Sequence, residues 1–148
     1  MPHFTIPISP QGAVLDAAVL VGDARRAALQ KENLTVPDPQ MIRALIDTGA
    51  SISAIERKVL ENLGLQQTGE AEINTPSTGA TPVKIPTYDV KIAILAGRKG
   101  DLHFISETVQ VTGSDLTQFG FGALIGTDIL KKCVFHYNGA DGHFTLAY

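Results

Sequence analysis

The oily run Gln40-Met41-Ile42-Arg43-Ala44-Leu45-Ile46 stops at Asp47-Thr48-Gly49, so a carboxylate, a hydroxyl and a glycine stand where a buried strand would otherwise continue. Such an ending has two readings. It is an Asx-type turn that merely reverses the chain, or it holds one carboxylate rigid in a water-lined cleft. A second oily run, Ala123-Leu124-Ile125, is closed by Gly126, 79 residues beyond Asp47. Both endings have to be accommodated by whatever fold the chain adopts.

Around them the pattern predicts a mainly β chain with two or three short helices. Residues 4–8 and 13–21 read as two strands around the turn Ser9-Pro10-Gln11-Gly12. Residues 24–32 read as a short helix with Asp23 as N-cap, after which Pro37-Asp38-Pro39 breaks the chain. Ser53-Ala54-Ile55-Glu56 has capping-box spacing, and Ile55, Val59, Leu60 and Leu63 follow on one helical face before Gly64. Residues 71–75 and 82–95 flank Pro76 to Thr81 as a long hairpin, in which Val90, Ile92 and Ile94 alternate with Asp89, Lys91 and Ala93. Residues 101–111 are expected as a further strand, Thr112 to Asp115 as a loop, and residues 127–132 as a short helix with Thr127 as N-cap. The stretches 133–137 and 143–147 close the chain as a β-hairpin.

A length of 148 residues suits one domain, 1–148, with a core of its own. Cys133 is the single cysteine, which excludes an intrachain disulfide and most thiolate metal sites. The net charge is −3 and the basic residues occur as scattered pairs without aromatic interleaving, which argues against nucleic acid as a partner. No apolar stretch reaches the roughly 20 residues that span a bilayer, and MPHFTIPISP lacks the basic and apolar regions of a secretory signal. The expectation is a cytoplasmic protein without a membrane partner.

Strand, Asp-Thr-Gly turn, helix, flexible hairpin, then Leu124-Ile125-Gly126 and a second helix: in this order the chain resembles the retropepsin-like, retroviral-type aspartic proteases in their cellular or bacterial single-domain form. The resemblance runs from about residue 40 to the C-terminus and implies a mainly β acid-protease barrel with a flap hairpin. Residues 23–39 then read as an insertion that could cover a dimer edge or narrow the cleft.

The family's chemistry needs two carboxylates sharing one proton, because like charges so close cannot both ionise. One Asp-Thr-Gly is present, so the resemblance implies a homodimer with Asp47 of each copy on a two-fold axis. It implies an aspartic endopeptidase in which Asp47 activates water for hydrolysis of a peptide or protein substrate. Thr48 would brace the partner's turn and Gly49 would let the backbone approach the carboxylate. Ser77, Thr78, Gly79 and Ala80 would form the substrate-binding flap, and Ile125 and Gly126 the cleft wall. Ala50 stands where many pepsin lobes place a hydroxyl, which leans towards a less acidic optimum. At the position of the Arg found in retroviral relatives the chain has Thr127, so that residue's salt bridge is not carried over.

The rival expectation is a catalytically silent dimer of the same fold that binds extended peptide segments; a third is a domain cut from a longer polyprotein. No cofactor is implied. His103, His136 and His143 match no zinc-ligand spacing. Phe119-Gly120-Phe121-Gly122 lacks the third glycine and the following helix of a dinucleotide fingerprint, and reads instead as a mobile loop near the cleft wall. There is no Gly-x-Ser-x-Gly elbow, and one cysteine without a paired histidine does not make a thiol protease.

Overall fold

A computed structural model describes residues 1–74, 79, 81–95 and 103–148. Strands make up 46% of the described residues and helices 16%, which makes the protein mainly β. The strand β2 (Val14–Val21) pairs antiparallel with β3 (Gln40–Ile46) on one side and with β6 (Val83–Ile94) on the other. Between those neighbours run β9 (Ala123–Ile125), β4 (Ala54–Glu56) and β8 (Val109–Ser114), in the order β2-β3-β9-β4-β8-β6. The β2–β6 pairing closes this path on itself, so the strands within it have a neighbour on each side. Val19, Ile55, Val90, Ile92, Ile94, Val111 and Ile125, one or more from almost every strand of the ring, are fully buried in its core.

Outside the ring, β5 (Gly69–Ile73) pairs antiparallel with the first half of β6, from Gly69 opposite Thr87 to Ile73 opposite Val83. The short β7 (Phe104–Ile105) pairs with the end of β6. Among the described residues three short helices, α1 (Asp23–Lys31), α2 (Arg57–Asn62) and α3 (Thr127–Leu130), and a 3₁₀ turn at Thr117–Phe119 fill connections. A second sheet of three strands has the order β1-β11-β10, made of β1 (His3–Pro7), β11 (His143–Ala147) and β10 (Val134–Asn138). Its inner face buries Phe4, Phe144 and Leu146 against the same core.

Several local expectations are corrected by long-range partners. β1 and β2 do not pair with each other beyond a Ser9–Gly12 bridge; β1 joins the chain's last strand instead. Residues 54–56 are strand, because Ala54 pairs with both Thr112 and Leu124, so the helix starts at Arg57 and Ser53 caps nothing. Of the expected strand over 101–111, residues 101 and 102 lie outside the described residues and the rest is two pieces, since the Ser106 hydroxyl, bonded to Ile92 NH and Glu107 C=O, replaces the ladder there. Residues 112–114 are not loop but the end of β8, parallel to β4. The helices α1 and α3 take Gly22 and Gly126 as N-caps rather than Asp23 and Thr127. The Asp23 carboxylate lies instead 3.0 Å from Lys91 Nζ, which is the first reason its carboxyl is held below the usual range.

One feature of this architecture positions the site. Strands β3 and β9 run side by side and parallel, with Ile46 opposite Ile125, so Asp47 and Gly126 leave the barrel together at one end.

Candidate active site

Asp47 begins where β3 ends, and its backbone is anchored before its side chain is. The Asp47 NH donates to Ile125 C=O at 2.9 Å, and the Ala50 NH donates back to Asp47 C=O at 3.2 Å, closing a tight turn. Inside that turn the Gly49 NH donates to Asp47 Oδ1 at 2.9 Å. A Cβ at Gly49 would stand 3.2 Å from that same oxygen, so glycine is what lets the amide come so close. Among the described residues no other hydrogen bond reaches the Asp47 carboxylate. The side chain is half-buried while Thr48 and Gly49 are exposed, so the turn presents the carboxylate to the outside with one oxygen held.

The following segment is gripped from the second oily run. Thr127 NH and Oγ1 both donate to Ala50 C=O, at 2.8 and 3.2 Å. Gly126 NH donates to Ser53 Oγ at 2.9 Å, and Ser53 Oγ donates to Asp128 Oδ1 at 2.7 Å. Ser53 NH reaches Asp128 Oδ2 at 2.9 Å, and Ile129 NH completes the set on Oδ1 at 3.0 Å. At Gly126 a Cβ would meet Ala50 O at 2.8 Å and Ile52 C at 3.2 Å, both backbone atoms, so the two chains cross here only because the residue is glycine. The carboxylate turn is therefore held from β9 and α3, not from its own strand alone.

The sequence-derived site residues fall into distinct places. Asp47, Thr48, Gly49 and Gly126 come together at one end of the barrel. Ile125 is fully buried and supplies its carbonyl, while its half-exposed neighbour Leu124 has the surface. Of the flap residues, Ser77, Thr78 and Ala80 lie outside the described residues; Gly79 is exposed with φ +64° between the paired arms β5 and β6. Ser53 and Asp128 were not foreseen as a pair. Their only signal is a serine sealed among apolar strand residues and an aspartate two places after Gly126.

A second carboxylate fastens a loop further up β3. Glu56, at the end of β4, accepts the NH groups of Leu116 and Thr117, the latter at 2.9 Å, while its own NH donates to Gly122 C=O at 2.8 Å. Burial pushes the Glu56 carboxyl up, but the hydrogen bonds from Leu116 and Thr117 together outweigh it and hold the group below the usual glutamate range. The strapped loop carries Phe119, 53% exposed, stacked on Phe121 at 6.1 Å between ring centroids. A hollow of about 330 Å³ lies against it, lined by Ile42, Arg43, Glu56 and Phe121 among others. Ile42 and Arg43 precede Asp47 by five and four residues on an extended strand, so this hollow is roughly 13–17 Å from the carboxylate.

Other chemistry is weaker. Burial pushes the Cys133 thiol up, the direction of an inert thiol. Among the described residues no cluster of three or more His, Cys, Asp or Glu side chains could hold a metal ion, and no helix is long and apolar enough to cross a membrane.

Comparison with known proteins follows the same lines. A family model described as gag-polyprotein putative aspartyl protease matches residues 33–132. Among solved structures the chain is similar to a retropepsin-like aspartic protease from Rickettsia conorii, with a TM-score of 0.57 and 17% identity over 99% of this chain and 90% of that one. It is also similar to a foamy viral protease-reverse transcriptase in complex with an RNA/DNA hybrid, at a TM-score of 0.46 and 18% identity, over 80% of this chain and 12% of that one. No curated protein matches the chain. The Rickettsia likeness identifies the fold as retropepsin-like.

Proposed function

The chain belongs to the gag-polyprotein aspartyl protease family, and from that premise we propose that it is an endopeptidase that works as a homodimer, with Asp47 of each copy as its catalytic pair. The observation that carries the reading is the Asp47 turn. One carboxylate oxygen is held by Gly49 NH, and no other group on the described chain bonds the side chain. A single chain supplies one such carboxylate; a two-fold axis beside the exposed Thr48 and Gly49 supplies the other.

In the pair the two carboxyl groups share one proton, since both cannot ionise at contact. The ionised Asp47 takes a proton from a water molecule as its oxygen attacks the scissile carbonyl carbon. The protonated Asp47 of the second copy donates its hydrogen bond to the carbonyl oxygen, which gathers charge in the tetrahedral intermediate. Collapse breaks the C–N bond, and the proton taken from water passes to the leaving amine. No covalent enzyme intermediate is required. Thr48 of each copy would brace the other's turn. The segment joining β5 and β6, in which Ser77, Thr78, Gly79 and Ala80 fall, would fold over an extended substrate strand, exclude water and bond the peptide backbone. The polypeptide 1–148 works as a single unit in this reading, with the α1 region flanking the barrel.

The test is cleavage of a mixed peptide library between pH 4 and 7 by wild type and by Asp47→Asn, with sedimentation of both. Cleavage by the wild-type dimer alone is expected. Equal cleavage by both proteins, or none by a wild type shown to be dimeric, overturns the proteolytic reading and leaves a peptide-binding dimer.

A further inference from the structure

We infer that Thr87 is the hinge on which the β5–β6 arm turns, and that its hydroxyl gains a hydrogen bond from the Gln110 side-chain amide, across the bare Cα of Gly69, when the arm closes on a peptide. The inference rests on the proteolytic reading above and names a positioning residue for it. Thr87 is fully buried, and among the described residues its Oγ1 is the one buried side-chain nitrogen or oxygen without a hydrogen-bond partner. Buried hydroxyls are nearly always paired, because an unpaired one keeps the full cost of leaving water, so this exception calls for a cause.

The registers put Thr87 at a junction. From Val83 to Pro86, β6 has β5 alone beside it among the described residues, with Ile73 to Glu70 standing opposite. From Tyr88 to Val90 it pairs with β8 instead, and from Val90 onward with β2. Thr87 alone stands opposite both Gly69 of β5 and Thr112 of β8, so the arm leaves the barrel here. Pro86, the first residue of the arm beyond Thr87, has no NH to give a ladder, which loosens the attachment next to the junction. On the barrel side the junction is firmly held. Thr112 is buried and its NH donates to Ser53 C=O at 3.0 Å, and Ser53 is in turn bonded twice to Asp128. An arm that pivots at Thr87 therefore turns on the frame that grips the Asp47 turn.

The missing partner is close by. A Cβ on Gly69 would stand 3.1 Å from Thr87 Oγ1 and 3.5 Å from Gln110 Nε2, so the two groups border the same small space, kept open because residue 69 has no side chain. Thr87 and Gln110 also project from the same face of the sheet, since Thr87 is opposite Thr112 and Gln110 lies two residues before Thr112 on β8. Gln110 is exposed, and its long side chain can follow a small shift of its neighbours. As the arm swings, Gly69 moves with β5 and Nε2 comes within reach to donate to Oγ1. The two arm positions then differ by one hydrogen bond, and a peptide that holds the arm closed is bound more tightly for it.

The experiment compares Thr87→Val, Thr87→Ser, Gln110→Ala and the Thr87→Val/Gln110→Ala pair with wild type. Urea unfolding gives the stability of the free protein, and kcat and KM are taken on a peptide cleaved from the mixed library. Binding of the fluorescein-labelled library is measured on the Asp47→Asn background, which needs no turnover. Thr87→Val keeps the shape of the side chain and removes an unpaired buried oxygen, so the free protein should unfold at the same urea concentration or a higher one. KM and the half-saturating concentration should rise roughly three- to ten-fold, the range for one lost hydrogen bond, with kcat little changed. Thr87→Ser should restore both, Gln110→Ala should match Thr87→Val, and the pair should exceed neither single variant. A Thr87→Val protein that unfolds more easily, one whose binding is unchanged, or single effects that add in the pair would overturn the hinge bond and leave the protease reading standing. If a dimeric wild type cleaves nothing, the protease reading falls while the binding comparison still decides the hinge; a library that binds no variant overturns both.

Discussion

Ser53 and Asp128, 75 residues apart in sequence, are joined twice, by hydroxyl to Oδ1 at 2.7 Å and by NH to Oδ2 at 2.9 Å. Ser53 is fully buried and its Oγ also accepts Gly126 NH. Ser53→Ala removes the hydroxyl and leaves a buried NH without its acceptor and Asp128 without one donor. The expected loss is about 1–3 kcal/mol of stability, the cost of stranding buried polar groups, read from urea denaturation. Ser53→Thr keeps the hydroxyl and should retain most of it. A Ser53→Ala protein as stable as wild type would mean that the pair does not tie the two turns together.

Gly126 crosses the Asp47 turn where no Cβ fits. Ala50 O would be 2.8 Å away and Ile52 C 3.2 Å, and backbone cannot swing aside as a side chain can. Gly126→Ala is expected to cost about 1–3 kcal/mol by overpacking and to lower kcat by displacing Asp47, whose NH is bonded to the neighbouring Ile125 carbonyl. Gly64→Ala is the contrast: nothing lies within 4 Å of its Cβ, and its cost comes only from φ +63°. Peptide turnover at equal folded fraction separates the two, because only the Gly126 variant should lose rate.

Much of this arrangement was legible because some elements carry their own instructions. Strand β3 and strand β11 have the bounds that hydrophobic pattern and turn residues predict, and the Asp-Thr-Gly and Leu-Ile-Gly endings lie side by side as the resemblance implies. What was hidden is long-range. Ser53 and Glu56 have the spacing of a capping box, yet the serine is bonded to Asp128 and the glutamate side chain to Leu116 and Thr117, and it is Glu56 rather than Ser53 that stands at the N-cap of α2. The turn at Ser9 to Gly12 is real, but β1 finds its partner at the other end of the chain, which no local pattern encodes.

Glu56 makes the Phe119 loop sensitive to acid. Its carboxyl is held below the usual range, burial opposing and the Leu116 and Thr117 hydrogen bonds prevailing. A depressed folded pKa adds stability that is fully present above the unfolded glutamate value of about 4.3 and is lost as pH falls through the folded value. Glu56→Gln should therefore be less stable than wild type by about 1 kcal/mol at pH 7, the low end for bonds to a charged and partly exposed group. The gap should close as pH is lowered below 4. Denaturation midpoints at pH 7, 5 and 3 measure it; a gap that widens towards acid would refute the assignment.

Asp47→Asn separates catalysis from assembly. If two Asp47 carboxyl groups meet on the axis, bringing them together at neutral pH forces a proton to be shared or two like charges to be held close, and either opposes association. The amide removes that opposition while keeping size and an acceptor for Gly49 NH. Cleavage should fall by at least about 100-fold, the lower range for losing a general acid-base group. The dimer should be at least as tight as wild type at pH 7. Sedimentation equilibrium of the two proteins at pH 7 supplies the comparison. A weaker Asp47→Asn dimer at pH 7 would mean that the two carboxylates do not face each other, and the shared-proton mechanism would fail with them.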